Sequence, residues 1–441
     1  MPIENLPLLA GDLSRTLVWR DGKPISAGDF LAHATALARS LPDAPYVVNL
    51  CEDRGHFLVG FCAALIAGRI SLLPPSRAPQ AVAEITAAYA PATVLDDAMV
   101  AAAVSKQASG AMDAPSIDPA RVVVIGFTSG STGTPKANPK TWGAFAGSTR
   151  LNKAAFERFG QPPMSVLATV PSQHMYGMET CVLLPVLGDI AVSTDRPMFP
   201  QDLVDALDRL PGQRLLVTTP VHLRAFVDAD IDYPAPALIV SATAPLTTEL
   251  AIAAERAFKA PLLEVFGSTE TCVIGHRRTA GSEAWQLYPQ LRLEPIADGT
   301  RVHAPYFHPP VLLHDHLRMI DDDHFVVEGR SADMIEIAGK RASLGDIGSR
   351  LLALPGIADA AVLQACESGP GNVQRIVAFV VMKASHAHLC DADIVGGLRE
   401  SLDPVFLPRR VFRIDRLPRN ETGKLRRDTL LSVLDALTRD D

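Results

Sequence analysis

The chain has 441 residues, of which 48% are apolar and 20% are charged, and its formal net charge is −8. This length exceeds one ordinary hydrophobic core, so two or three domains are expected in a folded globular protein. The acidic balance argues against a nucleic-acid partner, which needs clustered basic side chains. Residues 1–10 lack the features of a secretion signal, and the apolar stretch at 57–68 is too short to span a bilayer.

The cysteines are scattered along the chain without CxxC spacing, at positions 51, 62, 181, 272, 366 and 390. This spacing indicates neither a zinc site nor a disulfide framework. We therefore expect buried, reduced thiols in a cytoplasmic protein.

Helical and strand patterns alternate along the first three quarters of the chain. Residues 29–40 and 247–259 carry helical periodicity, with Ser26 or Asp29 as a candidate cap of the first helix. Short runs rich in β-branched residues lie between the helical stretches, at 121–127, 165–170, 214–219, 237–243 and 261–267. Strands that alternate with helices predict an α/β architecture with a largely parallel sheet.

The pattern changes near Arg330. Beyond it come a helix, two strands, a second helix starting near Asp391 and a further strand, "RRVFRID", which is enough for a separate α+β domain. The sequence therefore predicts a large N-terminal α/β domain at 1–330 with mostly parallel sheets. A small, mobile C-terminal α+β domain at 331–441 is expected to follow it on a hinge.

The segment "GFTSGSTGTPKANPKTW", residues 126–142, follows a predicted strand. Consecutive backbone N–H groups in a loop of Gly, Ser and Thr form a concave anion site. The spacing is not that of a Walker loop, because two residues separate Gly130 from Gly133 and Lys136 follows a proline. The Gly-x-Gly of a dinucleotide fingerprint is absent as well. Two interpretations stay open at this point: another kind of phosphate loop, or a flexible polar surface loop.

The same segment resembles the signature loop of the adenylate-forming, AMP-binding superfamily, which includes acyl- and aryl-CoA synthetases. Other segments resemble further motifs of that family in the same order. Asp315 lies fifteen residues before Arg330, as the family's ribose-binding Asp lies before its hinge. The matching segments are "VPSQHMYG" (170–177), "SATAPL" (241–246), "EVFGSTETC" (264–272), "GRSADMIEIAGKR" (329–341) and "LPRNETGKLRR" (417–427).

The resemblance implies a two-step reaction. A carboxylate attacks the α-phosphate of ATP to give an acyl-adenylate and pyrophosphate, and a thiol then displaces AMP. The implied cofactors are ATP, Mg²⁺ and either CoA or phosphopantetheine. Binding of the β- and γ-phosphates is implied for Thr128, Ser129, Gly130, Ser131, Thr132 and Gly133, with Lys136 as a supporting cation.

The resemblance also implies the catalytic residues. Thr269 is expected to bond the α-phosphate, Glu270 to hold Mg²⁺, and Lys424 to supply a cation during adenylation. His174 is expected beside the carboxylate or acyl chain. Nucleotide contacts are implied for Phe266, which would stack on adenine, and for Gly267, Asp315 and Arg330. The acyl pocket is expected to be lined by Met175, Met178, Ser241, Ala242 and Thr243, which would admit a flat aromatic acid or a medium acyl chain.

The chain departs from the family pattern at several positions. Ala137 follows the loop lysine, Trp142 replaces a histidine, and Ala332 and Glu336 occupy the hinge segment. The chain thus resembles a compact, divergent branch, similar to ligases of aryl-polyene pathways that load carrier proteins. The basic segment at 408–427 has eight basic and two acidic residues. It suits an acidic carrier protein, the CoA nucleotide or an ordinary solvated strand face.

Three functional classes stay open. The first is an ATP-dependent ligase that joins a carboxylic acid to a thiol, and the second is a related ligase with a non-thiol acceptor. The third is a degenerate nucleotide-binding protein without turnover, which Ala332 and Glu336 favour. The presence of Glu270, Asp315 and Lys424 argues against the third class. The identity of the acid, the acceptor and the oligomeric state do not follow from the sequence.

Overall fold

The described residues form six sheets and the helices that cover them. In a computed structural model the described residues are 4–74, 77–105, 114–129, 135–160, 163–330, 333–337, 340–366, 374–386, 388–399, 402–420 and 423–439. The predicted phosphate-loop residues Gly130, Ser131, Thr132 and Gly133 lie outside these ranges, as does Ala332.

The strands of the first two thirds of the chain alternate with helices, as predicted. They are β1 (Leu6–Pro7), β2 (Thr16–Arg20), β3 (Lys23–Ser26), β4 (Tyr46–Asn49), β5 (Ile70–Leu73), β6 (Ala92–Leu95), β7 (Ser116–Ile117), β8 (Val122–Ser129), β9 (Pro135–Thr141), β10 (Met164–Ala168), β11 (Ala191–Ser193), β12 (Gln213–Thr218), β13 (Leu238–Ser241) and β14 (Leu262–Ser268).

The remaining strands are mostly consecutive, and the next α-helix of the described residues begins at Leu344. They are β15 (Cys272–Arg277), β16 (Trp285–Leu287), β17 (Arg292–Ile296), β18 (Gly299–His303), β19 (Val311–Leu313), β20 (Asp315–Met319), β21 (His324–Arg330), β22 (Met334–Ile337), β23 (Lys340–Ser343), β24 (Ile357–Cys366), β25 (Gln374–Met382) and β26 (Arg410–Arg413).

Several helices begin at a residue whose side-chain oxygen caps them. The predicted cap Ser26 accepts from Asp29 N at 3.0 Å, and Thr247 accepts from Leu250 N at 3.2 Å. The helices are α1 (Ala27–Ser40), α2 (Arg54–Ile66), α3 (Pro79–Ala88), α4 (Asp97–Val104), α5 (Trp142–Phe156), α6 (Met175–Gly177), α7 (Leu184–Leu187), α8 (Pro200–Arg209), α9 (Pro220–Asp228), α10 (Thr248–Phe258), α11 (Leu344–Leu352), α12 (Asp391–Arg399) and α13 (Arg427–Arg439). A π-helical segment, Met178–Leu183, joins α6 to α7.

The largest sheet has the strand order β20-β21-β16-β15-β14-β13-β12-β10-β11-β2-β3. Its centre, from β14 to β2, is parallel, whereas both ends are antiparallel. The central strands are buried apolar runs, as expected where helices cover both faces of a parallel sheet. A second sheet, β6-β4-β5-β8-β9, is parallel except for its β8–β9 hairpin. The predicted α/β class with mostly parallel sheets is confirmed.

Arg54 ties the segment before α6 to the sheet. Its buried guanidinium donates to the carbonyls of Ser193, Asp195, Ala168 and Val170 at 2.8–3.1 Å. These carbonyls follow the ends of β10 and β11, so the loop that leads to His174 leaves the sheet from a fixed point.

The C-terminal part has small sheets of its own. Strands β22 and β23 form a hairpin, and β24-β25-β26 form a three-stranded sheet packed on α11, α12 and α13. Four cysteines, Cys51, Cys62, Cys181 and Cys272, are buried free thiols as expected. Cys390 departs from that expectation: it lies in an exposed turn before α12. Within the described ranges, no helix is long and apolar enough to cross a bilayer.

Candidate active site

Two antiparallel strands, β8 and β9, flank the predicted phosphate loop. Thr128 pairs with Lys136 between them, and Asn138 Nδ2 donates to Thr128 Oγ1 at 3.3 Å. Lys136 is exposed. Because a strand rather than a helix follows the loop, the arrangement differs from that of a Walker loop, in agreement with the rejected spacing.

Thr269 and Glu270 occupy a tight turn between the antiparallel strands β14 and β15. Ser268 Oγ accepts from Glu270 N at 3.1 Å and from Thr271 N at 3.2 Å, which fixes the turn from inside. Gly267 is required there because a Cβ would lie 2.2 Å from the Cys272 carbonyl oxygen. The backbone conformation of the turn is therefore restricted. The turn carries the side chains of Thr269 and Glu270 next to each other.

The hairpin and the turn are in direct contact. A Cβ on Gly126 would lie 3.0 Å from Thr269 Cγ2 and 3.4 Å from Met175 Cε. Lys140, on β9, is buried and donates through Nζ to the Glu270 carbonyl. The structure thus brings three predicted segments together at one place: the phosphate loop, the Thr-Glu turn and the histidine segment.

The chemistry of the turn suits a hard cation. Within the described ranges, no hydrogen bond or ion pair occupies the Glu270 carboxylate, which is half-buried. Among the same described residues, no group of three or more His, Cys, Asp or Glu side chains is arranged to hold a metal ion. Mg²⁺ is ordinarily held by one or two carboxylates together with substrate phosphates, so a single carboxylate beside a phosphate loop fits that ion.

The predicted adenine and ribose residues lie on the same sheet as the turn. Phe266 packs against Trp285 at 5.2 Å and Phe325 at 5.8 Å between ring centroids, which holds its half-buried ring in place. Asp315 is buried on the edge strand β20 and pairs in register with Arg330 at the end of β21. Phe266 and Asp315 are therefore held by β14 and β20 of one rigid sheet.

His174 and Lys424 are distant in sequence, yet the charge of Lys424 acts on His174. Burial, the Lys424 ammonium and the Arg196 guanidinium lower the pKa of His174 to about 4. The loop before Lys424 contacts the N-terminal part, since a Cβ on Gly423 would lie 3.3 Å from Val221 and 3.6 Å from Ala244. The predicted catalytic loop is thus in contact with the predicted acyl pocket.

The Lys424 loop has a defined shape. The guanidinium of Arg419 donates to both Asp359 oxygens at 2.7 and 2.8 Å and to the Gly423 carbonyl at 2.8 Å. The backbone N–H of Lys424 donates to Asn420 Oδ1 at 2.8 Å. These contacts link the loop to β24 of the C-terminal part.

The predicted acyl-pocket residues divide into two groups. Met175 and Thr243 are half-buried and accessible, whereas Met178 and Ser241 have no exposed surface and Met178 packs in the main core. Ala242 is intermediate in exposure between these two groups, with 8% of its surface exposed. Thr243 has a φ of 81°, an uncommon conformation for a residue with a branched side chain and one that clusters at functional sites.

The sequence did not predict a group of polar side chains next to this pocket. His222 Nδ1 lies 2.8 Å from Thr169 Oγ1, which lies 3.0 Å from Thr218 Oγ1. Arg196 Nε donates to the Thr169 carbonyl at 3.3 Å. Burial and Arg196 lower the pKa of His222, so both histidines are uncharged at neutral pH. The two adjacent threonines Thr218 and Thr219 at the end of a buried strand could have indicated this polar group.

Two buried charged residues were also missed, Lys140 and Glu179. The signal for Glu179 was a single acidic residue inside the apolar run "MYGMETCVLLPVL". The signal for Lys140 was weaker, because an isolated lysine on a strand is ordinarily exposed.

Comparison with known proteins identifies the family. The AMP-binding enzyme family matches residues 14–291, and the AMP-binding enzyme C-terminal domain matches residues 346–424. A 4-coumarate–CoA ligase of Halorhodospira halophila is 31% identical over 68% of this chain and 73% of its own length. A 4-coumarate–CoA ligase of Rhodobacter capsulatus is 32% identical over the same shares.

A solved structure has the same fold. It is the O-succinylbenzoate coenzyme A synthetase of Bacillus subtilis in complex with ATP and magnesium ion, with a TM-score of 0.79 at 16% identity over 95% of this chain and 97% of that one. The aryl-polyene branch is not among these relatives. The chain belongs to the AMP-binding, adenylate-forming enzyme family, and it is a ligase that activates a carboxylic acid with ATP and passes the acyl group to a thiol.

Proposed function

We propose that the chain activates an aromatic carboxylic acid and transfers the acyl group to CoA. The two relatives above act on 4-coumarate, an aromatic acid, and use CoA. The half-buried Met175 and Thr243 and the neutral His174 and His222 suit a flat, uncharged ring more than a second carboxylate. Medium-chain acids are the nearest competitors for such a pocket.

The observation that carries this proposal is the position of the Lys424 loop. Gly423 contacts Val221 and Ala244, and the ammonium of Lys424 lies close enough to His174 to lower its pKa. The acid would lie between His174 and the Thr-Glu turn. A cation at that position stabilises the charge that develops as the carboxylate attacks the α-phosphate.

The residues of the turn and the hairpin would hold the other phosphates. We assign the α-phosphate to the Thr269 hydroxyl, and the β- and γ-phosphates to the loop from Thr128 to Gly133 with Lys136. Glu270 would hold Mg²⁺, and the ion when bound neutralises phosphate charge. The departing pyrophosphate then stays among cations and backbone N–H groups while the acyl-adenylate remains in the pocket.

The nucleoside would lie along the antiparallel end of the large sheet. We assign adenine stacking to Phe266 beside Gly267, and the ribose hydroxyls to the Asp315 carboxylate with Arg330 opposite it. Trp285 and Phe325 hold the Phe266 ring in place, so adenine can stack on it with little rearrangement of the side chain.

The second step needs the thiol to reach the adenylate from the side that Lys424 occupies. We therefore propose that 1–330 and 331–441 are separate domains and that the latter rotates about residues 330–333 after adenylation. The contacts between Arg419, Asp359 and Gly423 would carry the Lys424 loop away with the C-terminal domain. Reduced thiols such as Cys62 and Cys272 favour a cytoplasmic location.

Phosphopantetheine on a carrier protein is the second candidate acceptor, and a basic groove is compatible with it. A groove between α12 and β26 in the C-terminal part is lined by Arg399, Arg409, Arg410 and Arg413, with Asp391 as its acidic member. Such a basic surface suits an acidic partner. It suits the phosphates of CoA equally, and the assay below separates the two.

The test is a two-stage assay on the purified protein. Pyrophosphate release is first measured with ATP, Mg²⁺ and a panel of hydroxycinnamic, benzoic, phenylacetic and medium-chain acids. The active acid is then offered with CoA, a phosphopantetheinyl carrier protein or hydroxylamine as acceptor. We expect release with an aromatic acid and a CoA thioester as product. Release with medium-chain acids alone would overturn the aromatic assignment, and no release with any acid would overturn the function.

A further inference from the structure

Two oppositely charged buried side chains hold the Thr-Glu turn from its two ends. Lys140 is 4% exposed and donates through Nζ to the Glu270 carbonyl. Glu179 is 2% exposed, and its two oxygens accept from the backbone N–H of Val273 at 3.1 and 3.2 Å. The backbone from Glu270 to Val273 is therefore fixed by a cation at one end and a carboxylate at the other.

The carboxylate of Glu179 is itself held rigidly by α5. Ser148 Oγ donates to it at 2.6 Å and Asn152 Nδ2 donates at 3.2 Å. Tyr288, which follows β16, donates through its hydroxyl to Asn152 Oδ1 at 2.8 Å. Three elements, the π-helical segment, α5 and β15, therefore meet at one carboxylate, and Tyr288 fixes the Asn152 side chain that bonds it.

The two charges act at separate points of the backbone. Burial raises the pKa of Glu179, while its hydrogen bonds and, at longer range, the Lys140 ammonium lower it. Burying a charged side chain is costly unless it is hydrogen-bonded. Each of the two is therefore explained best by the backbone group that it holds.

We propose that Lys140 and Glu179 are positioning residues that orient Glu270 and Thr269 toward the metal and the α-phosphate. This inference rests on the proposed function of the turn. Neither side chain is assigned a contact with substrate; each acts on the backbone that carries the ligands. Partners that orient a metal ligand typically change metal affinity or activity by about 10- to 100-fold when they are removed.

The experiment compares Lys140→Met, Glu179→Gln and the double variant. Lys153→Met/Glu157→Gln is the matched control, because these residues form an ion pair at 3.5 Å on the outer side of α5. Two quantities are measured on each protein: the melting temperature, and the affinity for a non-hydrolysable ATP analogue by calorimetry across a Mg²⁺ titration. No acid is present, so the binding data do not depend on the substrate assignment.

We expect each variant of Lys140 and Glu179 to melt lower than the wild type. All three should need about 10-fold more Mg²⁺ for tight binding of the analogue. The control pair should change neither quantity. A folded double variant, or a folded Glu179→Gln, with the wild-type Mg²⁺ requirement would overturn the inference, because the pair would then be structural. A wild type that binds Mg²⁺ and the analogue yet turns over no acid would refute the proposed function alone.

Discussion

Gly126 lies directly beneath the methyl group of Thr269: a Cβ at Gly126 would lie 3.0 Å from Thr269 Cγ2. This contact joins β8, which leads into the phosphate loop, to the turn that carries Glu270. The distance between the proposed β/γ-phosphate site and the proposed α-phosphate site is therefore fixed by a glycine that has no role in binding.

Gly126→Ala should slow adenylation while the protein stays folded. The added methyl group must displace Thr269 or the Met175 side chain, whose Cε would lie 3.4 Å away. A misplacement of about 1 Å in such a site costs as much as 100-fold in rate. Pyrophosphate release measures the effect. Gly396→Ala, where a Cβ has no neighbour within 4 Å, serves as the control, and equal rates in the two variants would show that the contact is unimportant.

Glu270→Gln should raise the Mg²⁺ concentration needed for half-maximal pyrophosphate release by about 10-fold or more. The change keeps one oxygen and the size of the side chain but removes the charge that a hard cation requires. ATP binding without Mg²⁺ should stay unchanged. The exposed Glu249→Gln is the control for a lost surface charge. An unaltered Mg²⁺ dependence in the Glu270 variant would mean that other groups hold the metal.

His174 should stay uncharged throughout the neutral range. Its pKa of about 4 lies below the ordinary 6.5, so the neutral form is favoured in the folded state. The corresponding stability is present above pH 6.5 and is lost as the pH falls toward 4. Histidine NMR, with His174→Gln for assignment, measures the titration. The Lys424 charge is the second cause, after burial, of the lowered pKa of His174. Lys424→Ala should therefore raise the titration midpoint of His174. An unchanged midpoint would show that the Lys424 ammonium does not lie near His174.

Much of the fold was predictable because local patterns and tertiary structure agree. Ser26 caps α1, as the sequence indicates, and the helical pattern at 247–259 forms α10. The β-branched runs form the central strands within a few residues. The Thr269–Glu270 pair was identified by its resemblance to a family motif, and in the structure it forms a tight connection between antiparallel strands.

The missed parts of the site depend on contacts between distant segments. Lys140 and Glu270 are far apart in sequence and meet only when the two sheets pack together. Met178 suits a pocket by its chemistry, yet the π-helical segment directs it into the main core. Thr243 has a left-handed backbone conformation that its residue type does not favour. Such features arise from packing, which spacing along the chain does not encode.

The central claim is that Lys424 acts on the transition state of adenylation, and Lys424→Ala tests it most directly. Removing one preorganised donor typically costs about 10²- to 10³-fold in rate. The measurement is a pair of half-reactions on this variant: pyrophosphate release from acid and ATP, and thioester formation from a pre-made acyl-adenylate. We expect pyrophosphate release to collapse, while ATP affinity and thioester formation stay near wild type. An equal loss in both half-reactions would contradict it, because Lys424 would then be structural or the C-terminal domain would not rotate.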